Sequence, residues 1–423
     1  MEKVKNRWLI AASAVGIHLS IGSAYAWSVF TNPMVEQYGW DTTQVSTAFS
    51  IAIFFLGMSA AFMGRFVERH GPRKSGMLSA LFYSVGVAGS GIATMLESLP
   101  LLYLSYGVIG GIGLGIGYIA PVSTLVKWFP DRRGLATGLA IMGFGFAAMI
   151  SGPLAAALID SLSIPLTFFI LGAIYFIVMM ASAQYLAPPP ENWTPKGFTE
   201  KQEKQARKIP ADLAQLTANE AIKTRRFWML WFMMFINISC GIAILAVASP
   251  MAQELTGMTA IAAAAMVGTM GVFNGGGRLV WASFSDYIGR PNVYTTFFVI
   301  QIAAYLMIPF ISNAIVFQIL LFAIISCYGG GFASLPAYIG DIFGTKQLGA
   351  IHGYLLTSWA MAGIAGPIFL SLIYDTTNSY SLTMIIFSVL FIVALILSLW
   401  IRVDIKRLKQ NQKSGQESEL KSV

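Results

Sequence analysis

The feature that most constrains this chain is a succession of long apolar runs separated by short polar breaks. Each run has about twenty residues or more, the length that an α-helix needs to cross the hydrocarbon core of a bilayer. Charged residues make up only 11% of the chain, against about 25% in soluble domains, too few to cover a soluble globule. We identify twelve such runs, at approximately residues 8–30, 43–64, 75–96, 100–125, 135–159, 165–187, 227–250, 259–284, 292–312, 314–338, 350–374 and 380–401.

These runs are expected to be helices rather than strands of a barrel. In lipid, every backbone N–H and C=O group must find its hydrogen bond within the protein, which only helices and closed barrels achieve. The runs lack the alternation of apolar and polar residues that is typical of barrel strands. The sequence therefore predicts an all-α membrane protein with twelve transmembrane helices.

The positive charges of the chain are distributed unevenly between alternate breaks. The odd-numbered breaks contain no Lys or Arg, and all of them except the ninth contain acids, whereas the even-numbered breaks and the two ends carry all but one of the 27 basic residues. Positively charged loops stay in the cytoplasm, so we expect both termini to be cytoplasmic. The net charge of +8 is then explained by orientation and by attraction to an anionic membrane surface, and predicts no nucleic-acid partner.

The longest break divides the runs into two sets of six that repeat one another. Its composition is Pro-rich and then charged, which is typical of a linker, with a surface helix near residues 201–208 as one interpretation. "SGPLAAALID" in the fifth run resembles "AGPIFLSLIYD" in the eleventh, and "GRFVERHGPRK" after the second resembles "ASFSDYIGRP" after the eighth. A duplicated bundle with a site between its halves is the architecture of rocking transporters. We expect an N-terminal six-helix bundle at 1–187, a cytoplasmic linker at 188–226, a C-terminal six-helix bundle at 227–402 and a cytoplasmic tail at 403–423.

A motif of glycines, an acid and basic residues follows the second apolar run and is echoed after the eighth. It resembles the signature loop of the major facilitator superfamily. An acid near a helix end can accept hydrogen bonds from arginines and face the N-terminal dipole of a neighbouring helix, so we expect a latch that closes the cytoplasmic side. The alternative is ordinary loop charge that only orients the helices. The predicted gating residues are Gly64, Glu68, Arg69, Gly71, Arg73, Asp286 and Arg290.

Arg278 is the one basic residue that lies inside an apolar run. An arginine at that depth costs about 2.5–3.5 kcal/mol on insertion scales. It could snorkel to the membrane surface, since the end of its run is about 9 Å away at 1.5 Å per residue. However, small and polar residues share its helix face at spacings of three and four, which favours the interior of the bundle. That face carries Gly268, Gly271, Gly275, Arg278, Ala282 and Ser285.

Three further segments resemble the oxalate/formate antiporter family, the bacterial relatives of the monocarboxylate porters. They are "YAWSVFTNP" at 25–33, "KWFPDRRGLATG" at 127–138 and, most specifically, "FNGGGR" followed by "SDYIGR". The resemblance covers nearly the whole chain and implies transport of small carboxylates, with Arg278 binding the carboxylate. A guanidinium suits this task because it can donate two parallel hydrogen bonds to a planar carboxylate.

Two positions depart from the pattern of the relatives. In the oxalate carrier a lysine of the eleventh helix supplies a second positive charge, and alignment puts Trp359 there. A single cation balances one carboxylate but leaves a dianion poorly compensated in a low dielectric, so monocarboxylates such as formate, lactate or pyruvate are expected to be preferred over oxalate. Asn274 stands where proton-coupled relatives have an aspartate, which argues against a proton-carrying carboxylate.

Aromatic side chains in the runs expected to line the cavity are the other candidates for substrate contacts. Core packing is the alternative for each of them, although the family resemblance itself assigns Tyr25, Tyr118 and Tyr328 to the site. His18 and His352 are the remaining groups that could titrate. The predicted substrate-binding set is Arg278, Tyr25, Trp27, Tyr118, Tyr328, Phe332, Trp359 and Asn274.

The same residues argue against several other functions. Asp341 and Asp375 are predicted to lie on opposite sides of the membrane, so they cannot form an aspartyl catalytic pair, and we expect no enzyme, no cofactor and no metal. The favoured function is anion exchange by a monomeric carrier in a bacterial inner membrane, with the lipid bilayer and a small carboxylate as its partners. A proton-coupled monocarboxylate symporter is the first alternative, and a non-transporting membrane sensor is the second.

Overall fold

The computed structural model describes residues 4–190, 193–195 and 213–420. Their regular structure consists of helices, with 3₁₀ turns at Gly22–Ala26 and Ile308–Phe310 and a π-helical stretch at Tyr103–Gly110. The surface helix expected near 201–208 lies outside the described residues. The helices are α1 Arg7–Ile21, α2 Ser28–Tyr38, α3 Thr42–Met95, α4 Leu99–Leu102, α5 Gly111–Trp128, α6 Arg133–Ser161, α7 Ile164–Tyr185, α8 Ala218–Ala221, α9 Arg225–Thr256, α10 Ala260–Ile288, α11 Arg290–Met307, α12 Ala314–Phe343, α13 Leu348–Thr377 and α14 Tyr380–Leu420.

The helices have the length and the apolar outer faces that a lipid environment requires. Among the described residues, ten helices are long and apolar enough to cross a membrane. Large apolar side chains are exposed along their outer faces, for example Phe62 at 75%, Ile177 at 66% and Val280 at 63% of their surface. Such a surface is stable only against hydrocarbon. The multi-pass membrane protein predicted from the sequence is therefore confirmed.

Two glycines at equivalent places in the repeat bend the chain at the ends of helices. Gly71 lies inside the 54-residue α3 with φ 80° and ψ 166°, which interrupts the helix before Pro72. Gly289 has φ 87° and ψ 145° and separates α10 from α11. A positive φ is readily adopted only by glycine. The same number of residues separates Gly71 from Gly289 as separates Glu68 from Asp286, which is the geometry expected of a duplicated unit.

Helices α3 and α13 pack against each other through glycines. A Cβ atom on Gly64 would lie 2.6 Å from the Cα of Ala350, and one on Gly57 would lie 2.6 Å from the carbonyl oxygen of Leu356. A Cβ on Gly353 would overlap the carbonyl oxygen of Ala60. Small residues let the backbones approach, so this seam joins the N-terminal half (α1–α7) to the C-terminal half (α9–α14).

Helices α6 and α10 also meet across the two halves, but they diverge along their length. A Cβ on Gly138 would lie 3.1 Å from the Cβ of Ala282, and one on Gly145 would lie 2.8 Å from the Cα of Gly275. Gly268 and Gly271 follow on the same face, and no described atom lies within 4 Å of a Cβ built on either. The two halves are therefore closed at the end that carries Gly71 and Gly289, here named the latch end, and separate toward the other end.

Replacing Gly353 by alanine is expected to destabilise the protein by about 1–3 kcal/mol, because the added methyl group meets a backbone oxygen. Gly268→Ala is the matched control, since a Cβ built there has no described atom within 4 Å and alanine favours a helix by about 1 kcal/mol. Thermal unfolding of the purified variants measures the difference. Equal midpoints for both variants would contradict the close packing of α3 and α13.

Candidate functional site

Arg278 lies at the centre of the contact between the two halves and is completely buried. Its Nε donates to Asn274 Oδ1 at 3.0 Å, one helical turn earlier, and its Nη1 donates to the Ile141 carbonyl oxygen of α6 at 3.4 Å. Its Nη2 has no hydrogen-bond partner among the described residues. An arginine held in this way still has donor capacity for an anion, and an unpaired buried charge is costly without one.

Two phenylalanine rings flank the guanidinium. Its Cζ lies 5.6 Å from the ring centre of Phe144 and 5.4 Å from that of Phe332. These rings come from opposite halves, on α6 and α12. Cation–π contacts of this kind stabilise a desolvated cation and hold it in one orientation.

Further aromatic rings continue the cluster away from Arg278. Trp359 packs with Phe332 at 4.7 Å, with Tyr118 at 5.4 Å and with Phe144 at 5.8 Å between ring centres. Tyr25 packs edge-on against Phe144 at 4.8 Å. The cluster therefore joins helices of both halves around one buried arginine.

The polar atoms of this aromatic cluster lack full hydrogen bonding. Among the described residues, the Tyr118 hydroxyl and the indole N–H of Trp359 are buried without hydrogen bonds, and the Tyr25 and Tyr328 hydroxyls approach each other without forming a hydrogen bond of good geometry. Tyr25 lies beside Tyr328 and interacts electrostatically with Arg278. Buried polar groups normally have hydrogen-bond partners. Several buried groups without full hydrogen bonding around a cation are typical of a binding site for a ligand with acceptor oxygens.

A local break in the first span presents Tyr25 to the cluster. The 3₁₀ turn Gly22–Ala26 interrupts the path from α1 to α2. A Cβ on Gly22 would lie 2.6 Å from the Cα of Phe144, so glycine is needed for the turn to approach α6.

Most of the predicted substrate-binding residues come together in this cluster, and one does not. Trp27 packs against Tyr106, with ring centres 4.0 Å apart, and near Phe30. Its indole N–H already donates to the Val45 carbonyl oxygen at 3.1 Å. Two residues after Tyr25, its side chain points to a different side of the helix, into the N-terminal half.

Phe144 is the central residue that the sequence did not single out. It contacts Tyr25, Tyr118, Trp359 and Arg278. The available signal was its place between two glycines in "GFGF", which permit close helix packing on either side.

At the latch end, two acids each meet a helix N-terminus of the opposite half. Glu68 of α3 accepts a hydrogen bond from the backbone N–H of Gly349, in the first turn of α13, at 2.7 Å. Asp286 of α10 accepts from the N–H groups of Gly134 and Leu135, in the first turn of α6, at 2.9 Å each. A carboxylate near a helix N-terminus is stabilised by the helix dipole, so the two contacts tie the halves together crosswise.

The basic partner of Glu68 differs from the arginines expected from the motif. Lys127 Nζ of α5 donates to Glu68 Oε2 at 2.9 Å. Arg69 is exposed, and Arg73 donates to Gln184 Oε1 at 3.0 Å through its Nε. Arg69 directly follows Glu68 and therefore faces another side of the helix, whereas Arg73 lies beyond the interruption at Gly71. The cation that pairs with Glu68 comes instead from a neighbouring helix.

A buried ion cluster completes the latch end. Asp341 of α12 lies 3.2 Å from Arg133 Nη1 of α6 and 3.2 Å from Arg290 Nε. Arg290 also pairs with Asp286 at 2.6 Å. Asp341 therefore links an arginine of each half, a contact that the sequence did not predict.

Comparisons with known proteins agree with this architecture. A sequence model of the Major Facilitator Superfamily matches residues 13–336 and 277–422. The chain is 29% identical over 369 residues to an uncharacterised transporter of that type, YhjX of Escherichia coli, covering 85% of this chain and 86% of the relative. It is also 29% identical over 364 residues to the oxalate:formate antiporter of Oxalobacter formigenes, covering 85% and 83%.

Among solved structures, the E. coli fucose:proton symporter FucP aligns with a TM-score of 0.71 and 16% identity, over 94% of this chain and 99% of that one. This likeness concerns the fold. The sequence match, the helices and the fold together establish that the chain is a transporter of the Major Facilitator Superfamily, not an enzyme, as the motif in the second break predicted.

Proposed function

We propose that the chain is a carrier of small carboxylates in which Arg278 binds the carboxylate group. The observation that carries this proposal is that Nη2 of the fully buried Arg278 has no hydrogen-bond partner among the described residues, while buried tyrosine hydroxyls lie near this guanidinium. A carboxylate offers acceptor oxygens and one negative charge, and so satisfies both needs. The similarity to an oxalate:formate antiporter supports this class of substrate.

The proposed arrangement has twelve spans with both termini in the cytoplasm. The two parts of α3 on either side of Gly71 count as separate spans, and the 29-residue α10 is added to those already identified. The six-helix bundles are 1–187 and 227–402, the linker is 188–226 and the tail 403–423. In this orientation the latch end is cytoplasmic and the conformation is outward-facing. The relatives in Escherichia and Oxalobacter support a bacterial inner membrane as the location, and the carrier is proposed to act as a monomer.

Anion exchange is the proposed mode of transport. The halves would rock about the site, and the latch residues Glu68, Asp286 and Arg290 would separate when the cytoplasmic side opens. An empty carrier would have to enclose the unpaired charge of Arg278 in a dry interior, which is unfavourable, whereas a bound carboxylate neutralises it. The loaded carrier should therefore change sides much faster than the empty one.

Transport by purified protein in liposomes tests the proposal directly. Labelled formate, lactate or pyruvate should enter liposomes that contain unlabelled carboxylate and should not enter empty ones. Entry into empty liposomes that is driven by an inward proton gradient would favour the proton-coupled alternative. The absence of uptake under either condition would favour the sensor.

A preference for monocarboxylates over oxalate follows from the single cation. Trp359→Lys is expected to raise the affinity for oxalate relative to formate about ten-fold or more, since a second cation in a low dielectric compensates the second carboxylate. Trp359→Leu is the control, because it removes the ring without adding charge. Competition of unlabelled oxalate and formate against labelled substrate measures the ratio. The same ratio in both variants would contradict the charge argument.

A further inference from the structure

Two histidines on opposite halves lie beside Tyr118. The ring of His18 lies 5.4 Å from the Tyr118 ring, and the ring of His352 lies 5.8 Å from it. His18 belongs to α1 and His352 to α13. Both are completely buried, and they interact electrostatically with each other. They form a second polar group of side chains across the halves.

The ring nitrogens of this pair have unused hydrogen-bonding capacity. His18 Nδ1 lies 3.0 Å from the Ala14 carbonyl oxygen. A carbonyl oxygen only accepts, so Nδ1 carries the proton and Nε2 presents a lone pair in the neutral ring. His18 Nε2 has no partner among the described residues, and neither does either nitrogen of His352. The pair therefore offers one acceptor, on His18, and one N–H donor with a further acceptor, on His352.

The other described side chains around the two histidines do not supply hydrogen-bond partners for their free ring nitrogens. The Tyr118 hydroxyl is likewise buried without a partner. Trp359 and Phe144 pack their rings against Tyr118, and a Cβ on Gly143 of α6 would lie 3.3 Å from the Cβ of His18. Arg278 is the formal charge that acts on His18. No described carboxylate pairs with either imidazole.

We propose that His18, Tyr118 and His352 form a second subsite, which binds an uncharged hydroxyl group of the substrate remote from the carboxylate held by Arg278. A hydroxyl both donates and accepts, so it can donate to His18 Nε2 and accept from a His352 N–H or from Tyr118. A second carboxylate only accepts and would face the His18 lone pair without a cation. This inference rests on the proposed function and narrows its substrate class to hydroxylated monocarboxylates.

Because the two histidines come from different halves, a ligand in this subsite contacts both. Such a ligand contributes to holding the halves around the site, in addition to the charge contact at Arg278. An ordered water is the simplest other occupant, since it donates and accepts in the same way.

Matched pairs of acids that differ only in a hydroxyl test the subsite. Calorimetry on purified protein would compare acetate with glycolate, propionate with 3-hydroxypropionate and butyrate with 4-hydroxybutyrate. At the chain length that reaches the histidines, the hydroxylated acid is expected to bind about ten-fold more tightly, which corresponds to two net hydrogen bonds. The ratio of the two affinities is the quantity of interest, because it cancels the contribution of the carboxylate.

Variants of the two histidines test whether the affinity ratio arises from this subsite. In His352→Leu and in His18→Leu the ratio should fall to about one, whereas His352→Gln, which keeps a donor and an acceptor, should retain part of it. If a leucine variant fails to fold, the glutamine variant still tests the role of His352. A ratio near one at every length in the wild-type protein would mean that only water occupies the subsite, and would overturn the inference.

Two other results of these binding experiments can be distinguished from each other. A ratio that persists in both leucine variants would show that other groups bind the hydroxyl, and would also overturn the inference while leaving the proposed function intact. Binding of none of the plain acids would contradict the proposed function itself and remove the inference with it.

Discussion

Replacing Arg278 by glutamine is expected to weaken carboxylate binding by about two to three orders of magnitude and to abolish transport. Truncating one partner of a buried, hydrogen-bonded charge pair costs about 2–5 kcal/mol, at 1.4 kcal/mol for each factor of ten. Glutamine retains an amide donor but no charge. Arg278→Lys retains the charge without the planar pair of donors, so an intermediate loss is expected. Thermal stabilisation by formate and by lactate, followed by exchange in liposomes, measures both variants.

The stability of the empty protein separates a binding role of Arg278 from a structural one. A buried guanidinium with an unpartnered Nη2 is costly, so Arg278→Gln should leave the ligand-free protein as stable as the wild type or more stable. If Arg278 only holds α10 against α6, the variant should unfold earlier and keep its response to carboxylates. Arg132→Gln is the control for loss of a basic residue, since Arg132 is exposed.

Asp341→Asn is expected to open the latch end. The carboxylate lies between Arg133 and Arg290, and the three side chains are only 5%, 7% and 3% exposed. Removing one member of a buried ion cluster costs about 3–5 kcal/mol. That cost falls on the closed conformation, so the ratio of closed to open protein should fall by about two to three orders of magnitude. Asp375→Asn, at an exposed position outside the latch, should have no such effect.

Alkylation of an introduced cysteine would detect this opening. Ser285 is buried in the wild type, and a Cβ on Gly134 would lie 2.8 Å from its hydroxyl oxygen, so Ser285→Cys reports on the contact between α6 and α10. The native Cys240 and Cys327 are first replaced by alanine. Asp341→Asn should raise the alkylation rate while the protein still unfolds cooperatively. An unchanged rate in a folded variant would show that the cluster does not hold the halves together.

Several features of this protein could be read directly from local sequence. The bilayer imposes a requirement on every spanning segment, namely about twenty apolar residues with internally satisfied backbones, and this requirement shows in composition alone. The superfamily was recognisable from Gly64, Glu68 and Gly71 because the motif is contiguous. Arg278 stood out because a charge inside an apolar run is costly and therefore rare.

Contacts between distant segments could not be read in the same way. The expected arginine partners of Glu68 are replaced by Lys127 and by the N–H of Gly349, 59 and 281 positions away along the chain. Trp27 and Tyr25 are two residues apart, yet Tyr25 packs on Phe144 while Trp27 donates to Val45. Which of them faces the site depends on the 3₁₀ turn at Gly22–Ala26 and on the close approach of α6.

That this chain spans a membrane and that an arginine lies in its interior follow from its amino-acid sequence, because the cost of placing polar groups in lipid is local and does not depend on how a helix packs. Membership of the transporter superfamily follows from the sequence as well, because its motif is contiguous. The grouping of Phe144, Trp359, Tyr118 and the two histidines around one site is visible only in the folded protein, as is the link that Asp341 makes between the halves. Those relations depend on how helices from two duplicated halves pack against each other, and packing is a property of pairs of surfaces, not of either segment alone.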